Sequence, residues 1–325
     1  MFTPLRPALR KAAIASALFA VLLAPAFAQD TRSYTDDLGR TVDVPTAPQR
    51  IVTLHDSSLT VPLVELGIIP VGAFSRKGEA GPFMRGAATL TGVTFENSNI
   101  ADVGGSPADL EAIAALNPDL IITSSFQEAS VEQLSLIAPT VVVEDNVRGE
   151  LATFDDIAVL TGTEAKLAIL KSRYEAQVNQ IKAVLAGRDI SASIILTQEG
   201  QVAAWHTYGV LGKVLRDAGF SFPEVLNSIE GSERVFFSGE ELPSFDADFM
   251  FLTFDAARGQ SPQEAIDDLN TLTPSFCQFL TACTGERFVL LPREDAVARS
   301  YTAAGMMASA VLAAISGRDL DALAQ

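Results

Sequence analysis

Short apolar runs rich in β-branched and aromatic residues alternate with helical patterns along this 325-residue chain, and the alternation occurs twice. Parallel strands joined by helices have this pattern, because both faces of such a sheet are covered. The pattern predicts an α/β fold of two Rossmann-like lobes with mainly parallel sheets. Strands are expected at residues 51–54, 120–123 and 140–143 of the first half and at 193–196, 249–252 and 288–291 of the second.

A long helix is expected between the two halves. Residues from Thr163 to Ala186 contain no Gly or Pro and carry apolar side chains at every third or fourth position. At 1.5 Å per residue the helix is about 36 Å long, which is enough to connect two lobes along one side. Thr161 and Glu164 have the spacing of a capping box, and Gly187 marks the end. Because bending would break helical hydrogen bonds, we expect only a small closure of the lobes.

Residues 1–28 have the features of a secretory signal peptide. Three basic residues precede an apolar run at 12–23, and Ala26-Phe27-Ala28 provides the small-x-small pattern for cleavage. The run is shorter than the roughly 20 residues needed to cross a bilayer, so a membrane anchor is not expected. The expected domains are therefore the signal peptide at 1–28, an N-terminal α/β lobe at 29–160, the connecting helix at 161–187 and a C-terminal α/β lobe at 188–325.

Charge and cysteine content narrow the function classes. Cleavage after residue 28 takes the formal charge from −17 to −20, and such an acidic chain repels the phosphates of nucleic acids and anionic lipids. Nucleic-acid binding is therefore not expected. Cys277 and Cys283 are the only cysteines. In an oxidising compartment we expect them to form a disulfide, with two buried thiols as the alternative.

The usual enzyme motifs are absent from the sequence: it contains no Walker loop, no G-x-S-x-G elbow, no dinucleotide fingerprint and no C-x-x-C pair. His55-Asp56-Ser57-Ser58 contains the residue types of a hydrolase triad, but adjacent residues rarely converge as a triad does. A periplasmic hydrolase that uses His55 or His206 with a serine is one alternative, and a scaffold module without a ligand is another. Because these two histidines are the only ones, we expect no dedicated metal site.

Three segments, from Tyr34 to Val52, from Gly104 to Ile122 and from Ser238 to Asp248, carry the motifs that can be compared with those of known families. They closely resemble, in the same order, the signatures of the periplasmic siderophore- and cobalamin-binding proteins of ABC importers. The resemblance implies a monomeric binding protein without enzymatic activity, with no permanently bound cofactor. Its ligand would be a ferric chelate, delivered to an ABC permease with its ATPase. Haem and cobalamin are alternative ligands.

The resemblance also implies a cleft between the lobes, built from the loops that follow strands, with arginines for an anionic chelate and aromatic side chains for its apolar parts. The expected ligand contacts of the first lobe are His55, Ser57, Arg76, Arg85 and Ser125. Those of the second lobe are Trp205, His206, Tyr208, Arg234, Phe254, Arg258, Arg299 and Tyr301. Arg234 and Arg299 are preferred, because a planar guanidinium can bind anionic oxygens through two hydrogen bonds. Tyr208, His206 and Tyr301 are alternative candidates for direct contact with iron.

Two glutamates occupy equivalent places in the two halves. Glu111 and Glu240 stand eight residues before Asp119 and Asp248, each of which directly precedes an expected strand. The resemblance implies that these glutamates dock the loaded protein on arginines of the permease, one from each lobe. The alternative is that both are ordinary solvated acids.

Overall fold

The structure is a computed structural model that describes residues 30–324 except 79–80, 145–147 and 232–233. The predicted signal peptide at 1–28 lies outside the described residues. Among those that are described, no helix is both long and apolar enough to cross a membrane.

The first half contains an entirely parallel sheet. The strands of this half are β1 (Thr31–Thr35), β2 (Thr41–Pro45), β3 (Ile51–Thr53), β4 (Gly72–Ala73), β5 (Arg76–Gly78), β6 (Gly81–Phe83), β7 (Ala101–Asp102), β8 (Leu120–Thr123) and β9 (Thr140–Val142). The sheet has the order β7-β4-β3-β8-β9, while β1 pairs with β2 and β5 with β6 in separate antiparallel hairpins. The three strands predicted in this half are confirmed as β3, β8 and β9. Strands β4 and β7 are too short for a sequence pattern to show them.

The second half contains a mixed sheet. Its strands are β10 (Ala192–Gln198), β11 (Gln201–Ala204), β12 (Val235–Phe237), β13 (Phe249–Phe254) and β14 (Phe288–Pro292). In the order β12-β11-β10-β13-β14, the three predicted strands β10, β13 and β14 are parallel. The other two are antiparallel to their neighbours. Glu199 and Gly200 both adopt positive φ, so a two-residue turn folds β11 back on β10.

Helices cover both sheets. Those of the first half are α1 (Val61–Glu65), α2 (Ala87–Thr91), α3 (Leu110–Ala115), α4 (Val131–Ser135) and α5 (Thr153–Thr161). Then follow α6 (Glu164–Leu185), α7 (Gly209–Ala218), α8 (Glu224–Asn227), α9 (Pro262–Leu272), α10 (Thr281–Thr284), α11 (Arg293–Val297) and α12 (Tyr301–Ile315). Short 3₁₀ helices span Gly239–Phe245, Ala256–Arg258 and Phe276–Gln278.

The long amphipathic helix predicted between the halves is α6, and its apolar stripe is buried as expected. The buried side chains are Leu167, Leu170, Tyr174, Val178, Ile181 and Leu185. The predicted capping box at its start is wrong. Thr161 is the last residue of α5, and its hydroxyl donates to the carbonyl of Ile157. Helix α5 therefore ends where the sequence indicated only the cap of α6. Gly162, with φ of 68°, separates α5 from α6.

One apolar core extends from β3 and β8 through α6 and α12 to β13. The first lobe also caps α12, which belongs to the end of the chain. The Glu65 carboxylate accepts hydrogen bonds from the Ser300 hydroxyl at 2.5 Å and from the backbone N–H groups of Tyr301 at 3.0 Å and Thr302 at 3.2 Å. A carboxylate at a helix N-terminus is favourable, because the unpaired N–H groups there carry partial positive charge. The lobes are therefore joined by packing as well as by α6.

The internal repeat seen in the sequence corresponds to one contact made twice. The Asp119 carboxylate accepts hydrogen bonds from the backbone N–H groups of Gln49 and Arg50, just before β3. The Asp248 carboxylate accepts from the N–H and hydroxyl of Ser191, just before β10. In both lobes an acid at the start of one central strand thus fixes the start of its parallel neighbour.

Candidate ligand-binding cleft

The edge of the first-lobe sheet where β3 ends is organised around Asp56. After β3 the chain forms a π-helical turn, Asp56–Thr60, in which the Asp56 side chain is completely buried. Its oxygens accept hydrogen bonds from Arg76 Nε at 2.7 Å and Nη2 at 3.1 Å, and from the backbone N–H of Arg85 at 2.8 Å. Burial disfavours the charged carboxylate, but the hydrogen bond and charge of Arg76 hold the pKa of Asp56 below its ordinary value. Asp56 therefore positions both predicted arginines.

Arg85 extends from this network toward the second lobe. Its Nη2 donates to the Ser57 hydroxyl at 3.3 Å, so Ser57 supports the guanidinium. Burial and the neighbouring charge of Arg76 lower the pKa of Arg85. Arg76 and Arg85 thus place two positive charges next to each other around Asp56.

His55 belongs to an aromatic cluster at the same edge of the sheet. Its ring stacks on Phe74 with centroids 5.9 Å apart and meets the edge of Phe126 at 4.9 Å. Its Nδ1 lies 2.5 Å from the hydroxyl of Ser58 and caps the following turn. Ser58 is completely buried, whereas a hydrolytic nucleophile must reach its substrate. The geometry of the His55–Ser58 pair therefore favours a structural role. Within the aromatic cluster, Phe126 is 51% exposed and provides the accessible ring surface.

The second lobe presents Trp205 and Tyr208, with ring centroids 4.8 Å apart. Tyr208 is almost fully buried, and its hydroxyl lies 2.7 Å from that of Thr253. Burial raises the pKa of Tyr208 to about 12, so the phenol stays protonated at neutral pH. Gly209 follows at the start of α7, where a Cβ atom would lie 2.4 Å from the Cα of Val297. Glycine at this position therefore permits the close approach of α7 to α11.

The two lobes meet at a cleft of about 190 Å³. It is lined by Arg85 and Glu150 from the first lobe and by Trp205, Thr207, Tyr208, Gly209, Arg293, Val297 and Arg299 from the second. Two ion pairs cross it: Arg85 Nε lies 3.4 Å from Glu294 Oε2, and Arg299 Nε lies 3.6 Å from Glu150 Oε2. The cleft therefore has three guanidinium groups, with two carboxylates facing them.

A second groove adjoins the cleft through Arg293, which lines both. The predicted residues Arg234 and Arg258 lie in this groove. Arg234 donates to the Gln198 side chain at 2.7 Å and lies 6.0 Å from the Trp205 ring. The Arg258 side chain is 82% exposed and lies 3.5 Å from Asp255. Both arginines border the ligand region but are less enclosed than Arg293.

Of the thirteen predicted contacts, only Arg85, Trp205, Tyr208 and Arg299 are among the residues that line the cleft. Besides His55, Ser57, Arg76, Arg234 and Arg258, already described, four more lie outside it: Ser125, Phe254, His206 and Tyr301. The Ser125 hydroxyl donates to Glu144 at 2.7 Å, and Phe254 packs against the core of the second lobe. The backbone carbonyl of His206 accepts a hydrogen bond from Arg216 at 2.6 Å. The buried Nδ1 of the His206 ring has no hydrogen-bond partner within the described residues. Tyr301 lies in the core rather than in the cleft.

The position of Tyr301 follows from helix packing. It is the first residue of α12, is only 4% exposed and packs against Phe154 at 4.8 Å and Tyr174 at 6.1 Å. Because α12 turns into the shared core at this point, its side chain is directed inward. The Tyr301 ring is therefore buried in the core, and the Tyr208 hydroxyl lies 2.7 Å from that of Thr253. Among the described residues, no group of three or more His, Cys, Asp or Glu could hold a metal ion.

Sequence reasoning missed Arg293, Glu150 and Glu294. Arg293 directly follows β14, so the rule that selected the other candidates applied to it as well. Glu150 and Glu294 were not candidates, because an anionic ligand was expected to contact basic side chains. Their role appears only when the lobes are brought together.

The remaining predicted residues lie away from the cleft. Glu111 and Glu240 are both exposed, and each is the second residue of a helix, α3 and the 3₁₀ helix Gly239–Phe245. Cys277 and Cys283 form a disulfide, with Cα atoms 5.0 Å apart.

Comparison with known proteins identifies the family. The profile described as periplasmic binding protein matches residues 91–269, which is more than half of the chain. The chain belongs to this family. The match begins in the first lobe, includes α6 and continues through β13, so it covers the helix that joins the lobes.

Relatives with assigned ligands extend the comparison. The chain is 29% identical to the probable siderophore-binding lipoprotein YfiY of Bacillus subtilis, over 68% of each chain. It is 27% identical to the achromobactin-binding periplasmic protein of Dickeya dadantii, over 66% of this chain and 69% of that one. Staphylococcus aureus SirA, solved in complex with staphyloferrin B, shares the fold with a TM-score of 0.70 and 23% identity, over 88% of this chain and 98% of SirA.

Proposed function

We propose that this protein is the substrate-binding component of an ABC importer and that it captures a ferric siderophore or similar iron chelate between its lobes. The observation that carries the proposal is the meeting of Arg85 from the first lobe with Arg293 and Arg299 from the second around one cleft. An anion bound there contacts both lobes at once. Binding can therefore favour a particular arrangement of the lobes, which is what a permease must recognise.

The chemistry of the cleft supports an anionic chelate. Guanidinium groups bind carboxylate or catecholate oxygens through charge-assisted hydrogen bonds, and Trp205 provides an apolar wall. In a chain of formal charge −17 the three arginines form a local positive region. The relatives named above as binding siderophores or achromobactin support iron chelates as the ligand class. The iron would arrive already enclosed by its chelator, because among the described residues no group of three or more His, Cys, Asp or Glu could hold a bare metal ion.

The proposal extends to the path of the protein and its ligand. Residues 1–28 would direct export and be removed, leaving a monomer in the periplasm with lobes at 29–160 and 188–325. The exposed carboxylates of Glu111 and Glu240, one on each lobe, would then contact the permease, whose ATPase drives transport. The matching helix positions of the two glutamates support this docking arrangement.

Fluorescence titration tests the proposed ligand class. Trp205 is the only tryptophan and lines the cleft, so it reports binding without a label. Purified protein lacking residues 1–28 would be titrated with ferric citrate and with ferrichrome, each beside its metal-free chelator. We expect saturable quenching by an iron chelate and much weaker quenching by the metal-free form.

Haemin, cyanocobalamin and a chromogenic ester provide the contrasting arms. Tight binding of haemin or cyanocobalamin without binding of either iron chelate would assign the cleft to a different ligand. Ester turnover that His55→Ala abolishes would replace transport with hydrolysis. Mass spectrometry of the protein isolated from its native periplasm would identify the ligand itself.

A further inference from the structure

The cleft acids form ion pairs that cross between the lobes in opposite directions. The first lobe contributes the arginine of one pair, Arg85 with Glu294, and the acid of the other, Glu150 with Arg299. Glu294 also lies 3.8 Å from Arg293 Nη1. Each of the three cleft arginines therefore has an acid within ion-pair distance.

These inter-lobe pairs are looser than the ion pair within the first lobe. Arg76 binds Asp56 through two hydrogen bonds of 2.7 and 3.1 Å, and the carboxylate is completely buried. The pairs across the cleft have separations of 3.4 and 3.6 Å, beyond the usual 2.7–3.2 Å of an N–H···O hydrogen bond, and their side chains are partly exposed. The Asp56 pair fixes a position, whereas the cleft pairs mainly balance charge.

Arg293 shows that this balance is incomplete. Its Nε is buried and, among the described residues, has no hydrogen-bond partner. A buried donor without a partner is costly, so an acceptor placed beside it is favoured. A ligand carboxylate in the cleft would supply that acceptor and would compete with Glu294 for the same guanidinium groups.

We propose that Glu150 and Glu294 are internal counter-anions, which hold the cleft arginines and the two lobes together and which the anionic ligand displaces. The inference rests on the proposed function and adds a specificity mechanism to it. A chelate with two or more free carboxylates can replace both acids, because its carboxylates bring the arginines as much negative charge as the displaced glutamates did. A neutral chelate gives no such compensation, so the two acids select for multiply charged ligands.

Removing the acids should tighten binding of ferric citrate. The variants Glu150→Gln and Glu294→Gln keep the side-chain shape but abolish the competing charge, and each should lower the dissociation constant about threefold to tenfold. Glu175→Gln is the matched control, because Glu175 is exposed on α6 and its substitution changes the net charge equally. The control should change affinity less than twofold. Wild-type or weaker affinity in both cleft variants would overturn the inference.

A double-mutant cycle distinguishes paired competition from general electrostatics. In an Arg85→Ala background, Glu294→Gln should tighten binding much less than in the wild type, because its partner in the first lobe is gone. Glu150→Gln should keep its full effect in that background, since it pairs with Arg299. Equal effects of both substitutions in both backgrounds would show that the acids act only by long-range repulsion, and would refute displacement.

Amide hydrogen exchange provides a readout that needs no ligand. In the double variant Glu150→Gln/Glu294→Gln, residues 293–299 should exchange faster than in the wild type, because both inter-lobe pairs are lost. A wild-type protein that binds neither ferric citrate nor ferrichrome would refute the proposed function. Exchange that is unchanged in the double variant would refute the counter-anion inference independently.

Discussion

The two lobes position their ligand-facing charges by different means. In the first lobe a single buried carboxylate, Asp56, binds Arg76 and the backbone of Arg85 at the edge of a parallel sheet. In the second lobe four arginines come from separate segments around a mixed sheet: Arg234 before β12, Arg258 in a 3₁₀ helix, Arg293 at the start of α11 and Arg299 before α12. The first surface is organised by one buried carboxylate, whereas the second is assembled from arginines on four separate segments. The comparison predicts that removing the organising acid costs more stability in the first lobe than in the second.

The largest difference should appear when the acid of each network is neutralised. Asp56→Asn leaves Arg76 paired with a neutral side chain inside a buried network, and should lower the free energy of unfolding by about 2–3 kcal/mol. This is below the range for fully buried pairs because Arg76 is 28% exposed. Asp255→Asn in the second lobe should cost about 1 kcal/mol or less, since its ion pairs are 3.5 and 4.0 Å long. Urea unfolding monitored by circular dichroism measures both, and equal losses would contradict the comparison.

The free energy of unfolding at acidic pH provides an independent check on the role of Asp56. Its folded-state pKa is depressed below the unfolded value of about 3.9. The stabilisation is therefore fully present above about pH 4 and is lost as the pH falls through the folded-state pKa. The stability gap between the wild type and Asp56→Asn should accordingly narrow below about pH 4. A gap that stays constant down to pH 2 would show that the charge of Asp56 is not what stabilises the network.

The next largest effect should distinguish the cleft arginines of the second lobe, Arg293 and Arg299, from the exposed Arg258. Arg293→Ala and Arg299→Ala should each weaken ferric citrate binding by about 1.5–3 kcal/mol, because enclosed charge-assisted hydrogen bonds are lost. Arg258→Ala should cost less than about 0.7 kcal/mol, since this side chain is 82% exposed. Isothermal titration calorimetry gives these values. If Arg258→Ala were as damaging as Arg293→Ala, the neighbouring groove rather than the inter-lobe cleft would hold the anion.

The smallest energies belong to the docking surface, where the lobes are expected to act alike. Glu111→Arg and Glu240→Arg should leave stability and ligand affinity unchanged but reduce uptake, with the double variant worst. Exposed ion pairs are individually worth less than about 1 kcal/mol, so both lobes must contribute. Glu132→Arg is the control, because Glu132 is likewise exposed and is the second residue of α4. Uptake of radioactive iron by cells that carry each variant tests this, and normal uptake by the double variant would remove the docking assignment.

The fold was largely predictable because its central strands and α6 carry strong periodic patterns. The six predicted strands and the buried stripe of α6 are all present. Strand β11 was missed because its pairing depends on the turn at Glu199 and Gly200, which has little local sequence signal. Strand β12 has only three residues and pairs with β11 from a distant part of the chain. The capping box at Thr161 failed because the pattern cannot show that a preceding helix already uses the threonine hydroxyl.

The site was less predictable, because position after a strand does not determine side-chain direction. Arg85 and Arg299 reach the cleft, whereas Tyr301, two residues after Arg299, enters the core with α12. The acids Glu150 and Glu294 meet their arginines only across the two lobes. Contacts of that kind depend on tertiary structure and leave no pattern in the sequence.

The capping of α12 by Glu65 has a consequence for the order in which the molecule is completed. Translation proceeds from the amino terminus, so residues 301–315 leave the ribosome after the helices that they pack against. Those residues fill the core that β3 and β8 share with α6, and Glu65 has its partners only when Ser300 arrives. The newly made first half therefore lacks part of its own interior until those residues have been made. The first lobe therefore cannot complete its core before the second half has been synthesised.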